Sequence, residues 1–157
     1  MIYVSKEVPA NENLKSGDPK LNRSDIWKGL VMKAENALPF VPGMEKCDIV
    51  QRIPNGLVRD IIFRGEDARE RVTLHPQNKV VFVRESGNVD GFIVNEILGD
   101  DDNPRLRFSF ALQLADAASD SAKEHEFRAI MERDYLRAVE ATLGAIRKMV
   151  AAPQPAQ

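Results

Sequence analysis

Apolar residues recur along this chain with two periods, and the switches between them mark its elements. Residues 2–8, IYVSKEV, alternate and predict a first strand that stops at Pro9, and the polar ANENLKSGDPK that follows reads as a loop. Asn22 with Asp25 three positions later has the form of a capping box. Trp27, Leu30, Val31 and Ala34 then recur at helical spacing over about three turns. Pro39, Pro42 and Gly43 end this helix near Ala37 and leave room only for a short helical turn.

From Glu45 to Leu114 the period becomes two. Six further strands are predicted: KCDIVQRI, GLVRDIIFR, ARERVTLH, KVVFVRES, GFIVNEIL and RLRFSFALQL, separated by the turns PNG, GED, PQN, GNVD and GDDDNP. Connections this short make neighbouring strands antiparallel. In the last strand Leu106, Phe108, Phe110, Leu112 and Leu114 share one face, opposite Arg105, Arg107, Ser109 and Gln113. Two strands stay open in facing: Val80 with Phe82 competes with Val81 and Val83, and either Asn95 or Glu96 turns inward. Ser121 and Glu124 form a second capping box. It opens a helix of about 29 residues, ~43 Å long, with Phe127, Ile130, Met131, Tyr135, Val139, Leu143, Ile146 and Val150 in one stripe. APQPAQ, residues 152–157, is predicted as a disordered tail.

The element order is strand, short helical segment, six-strand meander, long helix. A sheet with one apolar face must cover it, and the C-terminal helix offers the matching stripe. The predicted class is α+β: a seven-stranded curved antiparallel sheet wrapped around a long C-terminal helix, as one domain over residues 1–151. The length of 157 residues suits one such domain.

Composition narrows the partners. With 43% hydrophobic and 29% charged residues the chain is ordinary for a soluble globule, and a net charge of -2 gives no footprint for nucleic acid or an anionic membrane. No run of about 18 apolar residues is present and the first residues do not resemble a leader, so no membrane insertion is expected and a cytoplasmic location is. Cys47 is the only cysteine, which excludes an internal disulfide and a multi-thiolate metal site.

One stretch carries chemistry. In GLVRDIIFRGEDARERV, Arg59 shares a face with Leu57, Ile61 and Phe63, and Glu70 shares one with Ala68, Val72 and Leu74. With Gly65-Glu66 as the loop, Arg64 pairs with Asp67 and Arg59 faces Val72, so Arg59 and Glu70 become diagonal neighbours about 7–8 Å apart. Such a pair either orients the polar end of a ligand in an apolar cavity or only satisfies itself. Arg84 joins it if Val80 and Phe82 point inward. Candidate apolar lining residues are Trp27, Phe63, Val72, Phe108, Phe110, Phe127, Met131 and Tyr135, the last because a buried hydroxyl needs a partner.

Catalytic signals are sparse. His75 and His125 read as surface residues, Cys47 as a half-buried strand residue, and GDDDNP as a solvated turn without EF-hand spacing. No phosphate-binding glycine loop is present, and neither a metal nor a cofactor is expected.

The element order resembles the helix-grip fold of the START-like superfamily, also called SRPBCC, which includes birch-pollen-type allergens and aromatic polyketide cyclases. LNRSDIWKGLVMKAENALPFVPGMEKCDIV and DARERVTLHPQNKVVFV resemble one branch in particular, the acetylaranotin biosynthesis protein L-like family of unknown function. There a helix with Trp and Lys-Ala precedes a Phe-Val-Pro turn, as in Trp27, Lys33, Ala34, Phe40, Val41 and Pro42, and an Arg-Glu pair recurs in a strand, here Arg69 and Glu70. The resemblance implies the fold and a hydrophobic cavity, and no established reaction.

The first expectation is therefore binding of a small hydrophobic or amphipathic molecule between sheet and C-terminal helix, with Arg59 and Glu70 orienting its polar end. One alternative is a polyketide cyclase or aromatase-like enzyme with Glu70 as general base. The other is a protein-interaction module with a vestigial cavity. Whether any reaction is catalysed stays open.

Overall fold

A computed structural model describes residues 1–12 and 14–151; the predicted tail at 152–157 lies outside them. Strand β1 (Ile2–Pro9) is followed by helix α1 (Arg23–Glu35). Then come β2 (Met44–Ile53), β3 (Gly56–Phe63), β4 (Glu66–His75), β5 (Lys79–Ser86), β6 (Val89–Gly99) and β7 (Pro104–Leu114), and finally helix α2 (Ala122–Ala151). The strands form one antiparallel sheet of order β1-β7-β6-β5-β4-β3-β2. The meander β2 to β7 is extended by β1 pairing with β7, so the two edges are β1 and β2. This is the helix-grip arrangement: the concave face of the sheet meets α1 and α2.

Local chemistry explains the helix starts. Asn22 Oδ1 accepts from Asp25 N at 2.8 Å and Asp25 returns the bond to Asn22 N at 3.0 Å, a complete capping box. At α2 only half of the expected box forms. Ser121 Oγ accepts from Glu124 N at 3.2 Å, but the Glu124 carboxylate instead takes Asp120 N and the N-terminal ammonium. The chain's amino terminus is thereby anchored to the start of α2.

Two strand facings left open by the sequence are resolved by burial. Val80, Phe82, Ile93, Asn95 and Ile97 turn inward; Val83 and Phe92 are exposed. The inward face of α1 is Ile26, Gly29, Leu30, Lys33 and Ala34, a rotation from the predicted stripe that leaves Trp27 and Val31 half-buried and puts Lys33 inside. On α2, Val150 is exposed and Asp134 and Thr142 are buried within the stripe.

The hairpin register differs from the expected one. Its loop is Arg64–Gly65, with φ of +48° and +81°, so Phe63 pairs with Glu66, Ile61 with Ala68 and Arg59 directly with Glu70. A two-residue hairpin loop of the kind that matches strand twist needs positive φ at both positions, and glycine is favoured at the second. Placing Gly65 first shifted the loop by one residue and every cross-strand partner by two.

The two helices meet at Gly29. A Cβ there would fall inside the side chain of Ile146, which is fully buried. Gly144 on α2, by contrast, has open space around its missing Cβ. In urea unfolding, Gly29→Ala is expected to cost about 1–3 kcal/mol by overpacking, whereas Gly144→Ala is expected to gain up to about 1 kcal/mol from helix propensity. Equal effects at the two sites would show that the helices do not pack through Gly29.

Candidate functional site

Between the concave sheet and the helices lies a cavity whose walls come from α1 (Lys33), the turn after it (Val41), β2 (Met44), β3 (Arg59, Phe63), β4 (Glu70), β5 (Phe82, Arg84), β6 (Ile93) and α2 (Asp134, Tyr135). Its atom-free space is about 440 Å³ including the open mouth, but only about 30 Å³ admits the centre of a water molecule. That is room for about two waters. Four of the ten sequence-predicted residues, Arg59, Glu70, Phe63 and Tyr135, line it. Val72, Phe108, Phe110 and Met131 are buried in the core, and Trp27 and Phe127 pack half-buried against that core. None of these six is on the cavity wall.

Arg59 is the hub. Its Nε donates to Glu70 Oε1 at 3.0 Å and its Nη2 lies 2.9 Å from the same oxygen. Its Nη1 donates to the carbonyls of Lys33 at 3.0 Å and Ala34 at 2.9 Å. The last carbonyls of a helix have no intrahelical donor and carry the negative end of its dipole, so a guanidinium there satisfies both needs. Arg84 Nε donates to the other Glu70 oxygen at 3.0 Å, and all three side chains are almost fully buried. Burial alone would raise the Glu70 pKa, but the two guanidinium groups overcome this and hold it below the usual carboxylate range. An ionised carboxylate with both oxygens engaged is a counter-ion, poorly suited to take a proton from a substrate.

Beside this triad, Lys33 Nζ donates to Asn95 Oδ1 at 2.7 Å, 4.4 Å from the centre of the Phe108 ring and 5.6 Å from that of Phe82. Among the described residues no carboxylate is within ion-pairing distance of it. Burial chiefly, and then the charge of Arg59, pull its pKa down to about 7 against the opposing pull of Glu70. Asn95 Nδ2 is buried without a hydrogen-bond partner. Tyr135 stacks on Phe110 with ring centres 4.9 Å apart, and burial pushes its hydroxyl pKa up, so it stays neutral.

At the mouth, Asp134 of α2 is buried and accepts two bonds from Arg64 at the hairpin tip, at 2.6 and 2.7 Å. This bidentate pair fastens the β3–β4 hairpin to α2 over the cavity. His125 is exposed beside Asp120, Cys47 Sγ accepts from Ala37 N, and no cluster placed to hold a metal ion is present among the described residues.

Sequence reasoning missed Lys33, Asp134, Val41, Met44, Phe82 and Ile93 as wall residues. Lys33 was findable: Ile26, Gly29, Leu30, Lys33 and Ala34 fit an i, i+3, i+4, i+7, i+8 stripe, but Trp27 drew the apolar face round to itself. Asp134 had no such signal, because its partner arrives from 70 residues away.

The family model for acetylaranotin biosynthesis cluster protein L matches residues 6–152. No functionally curated protein matches in sequence. Among solved structures, the Zhui aromatase/cyclase from Streptomyces sp. R1128 superposes with a TM-score of 0.69 at 16% identity, covering 95% of this chain and 94% of that one. A START superfamily protein from Mycobacterium smegmatis gives 0.68 at 16% identity, with 94% and 98% covered. The di-domain ARO/CYC StfQ from the steffimycin biosynthetic pathway gives 0.68 at 12% identity, covering 95% of this chain and 52% of that one. At these identities the likeness is one of fold. No helix among the described residues is long and apolar enough to cross a membrane.

Two substitutions test the electrostatics. Glu70→Gln leaves two buried guanidinium groups without their carboxylate and is expected to cost about 3–5 kcal/mol in chemical denaturation. Lys33 binds its proton less tightly folded than unfolded, so between about pH 7 and pH 10.5 the unfolded chain holds the extra proton and stability rises with pH. Below that window both states are charged and the burial cost is fully present. Lys33→Met removes this dependence. Its stability relative to the parent should therefore be most favourable at pH 7 or below and fall by a few kcal/mol towards pH 10.5. A pH-independent difference would place the amine in water.

Proposed function

We propose that this chain, which belongs to the acetylaranotin biosynthesis cluster protein L family of the START-like superfamily, binds a small amphipathic molecule in the space between sheet and C-terminal helix. The oxygen-bearing end of the ligand faces Arg59, Arg84 and Lys33, and its apolar body lies against Phe63, Phe82 and Tyr135. The carrying observation is the charge imbalance of the cavity wall: two guanidinium groups share the Glu70 carboxylate, Asp134 is taken up by Arg64, and the Lys33 amine has only Asn95, whose own Nδ2 lacks an acceptor. Buried excess positive charge is costly, and a carboxylate, enolate or phenolate supplies the missing acceptor.

A ligand larger than two waters needs the wall to yield, and the seam between the hairpin and α2, held by Arg64 and Asp134, is the natural place. Neighbours of the same fold are described as aromatase/cyclases. A cyclase that uses Glu70 as general base finds less support, because both oxygens of that carboxylate are held by arginines. The interaction-module reading draws support from the narrow cavity and from Tyr3, Phe92 and Val83, which stand exposed in one cross-strand row through Ala111.

Native mass spectrometry of the purified protein, followed by titration with 2-naphthoate and with the neutral 2-naphthylmethanol, separates these readings. Ligand binding predicts 1:1 saturable uptake, with the carboxylate bound at least about tenfold tighter, equivalent to 1.4 kcal/mol, and the preference lost in Arg84→Met. Absence of any co-purified molecule together with no saturable uptake of either probe would leave the interaction module standing.

A further inference from the structure

Among the described cavity-wall residues, Lys33 carries a charged group that no ion pair holds and the packing does not require. It occupies the i+7 position of a stripe otherwise made of Ile26, Gly29, Leu30 and Ala34, where a methionine would fill the same space without desolvation cost. Its amine reaches past the rings of Phe82 and Phe108 to a single neutral partner, Asn95 Oδ1. The Arg59 guanidinium, bonded to the carbonyl of Lys33 itself, keeps a positive charge close by. A desolvated amine beside another cation is the setting in which lysine loses its proton and exposes a nucleophilic lone pair.

We infer that the Lys33 amine is a covalent site for carbonyl ligands, adding reversibly to an aldehyde or ketone carbon to form an imine inside the cavity. This rests on the ligand-binding reading and names the chemical class of ligand. The nitrogen lone pair forms the C–N bond while the carbonyl π pair moves to oxygen, and a proton passes from nitrogen to that oxygen to give the carbinolamine. The hydroxyl then takes a proton from solvent and departs as water while the nitrogen lone pair forms the C=N bond, giving the iminium, which becomes the neutral imine on loss of its N–H proton. Asn95 contributes to the geometry: its Oδ1 holds the amine, and its Nδ2, in the same amide group, is buried without a hydrogen-bond partner.

The ionisable groups around the amine are Arg59 from β3, Glu70 from β4, Arg84 from β5, and Asp134 and Tyr135 from α2; β6 offers the neutral Asn95. Glu70 is the group that opposes deprotonation, and it is already shared between two arginines. Lys33 is accordingly half-deprotonated at about pH 7, where surface lysines are protonated.

The test treats the intact protein with glyoxylate or with propanal plus sodium cyanoborohydride, then maps the reduced adducts by peptide mass spectrometry from pH 5.5 to 9. Lys33 is expected to be modified at least about tenfold faster than any other lysine at pH 7, with a rate midpoint near pH 7. The fast adduct is expected to vanish in Lys33→Met. Asn95→Asp, which sets a carboxylate beside the amine, should slow it at pH 7 and restore it at higher pH, and this second variant decides the matter if Lys33→Met folds poorly. Labelling of Lys33 no faster than its surface counterparts overturns the imine. If 2-naphthoate still binds saturably in those samples, only the covalent site falls; if it does not, the ligand-binding reading falls with it.

Discussion

A single guanidinium joins the parts of this molecule that sequence order keeps apart. Arg59 projects from β3 to the end of α1, donates to two carbonyls that the helix cannot satisfy, and turns its other edge to Glu70 on the neighbouring strand. Removing water from this junction makes each of those bonds stronger and makes any missing partner more costly. The position of α1 over the sheet follows from it. Its charge also adds to the effect of burial, which chiefly sets the low proton affinity of Lys33, the residue whose carbonyl it holds.

The cavity is therefore electrostatic before it is hydrophobic. Phe63, Phe82, Ile93 and Tyr135 give it apolar surface, but its distinguishing feature is that cations outnumber the carboxylate they surround. Arg64 and Asp134 contribute a separate device at the mouth. A positive-φ turn residue is held in place by a bidentate bond to a buried aspartate, which ties hairpin to helix where the space between them is narrow.

An architecture shared with two aromatase/cyclases and with a START superfamily protein explains the scaffold: a curved sheet and a long helix leave a gap that side chains either fill or leave to a ligand. Chemistry resides in the side chains that line the gap. At 16% identity or less the likeness is one of fold, so the chemistry of the gap is read from this chain's own side chains, the Lys33–Asn95 pair beside the Arg59–Glu70–Arg84 triad.

Strand and helix periods, capping residues and short turns determined the element order, the antiparallel meander and the long closing helix, because these depend on contacts a few residues apart. The same alternation put Arg59 and Glu70 on one inward face. It did not decide which residue of Arg64-Gly65-Glu66 opens the loop, since that rests on positive backbone angles at two positions, and the direct pairing of Arg59 with Glu70 followed only from the folded turn. Nor did it decide the facing of β5 and β6, where both faces are equally apolar on paper and burial against α1 selects Phe82 and Asn95. The rotation of α1 that buries Lys33, and the reach of Asp134 to Arg64 across 70 residues, belong to tertiary packing alone. A local pattern specifies which side chains share a face. Which face meets which partner is set by the close approach at Gly29 and Ile146 and by where each buried charge finds its opposite.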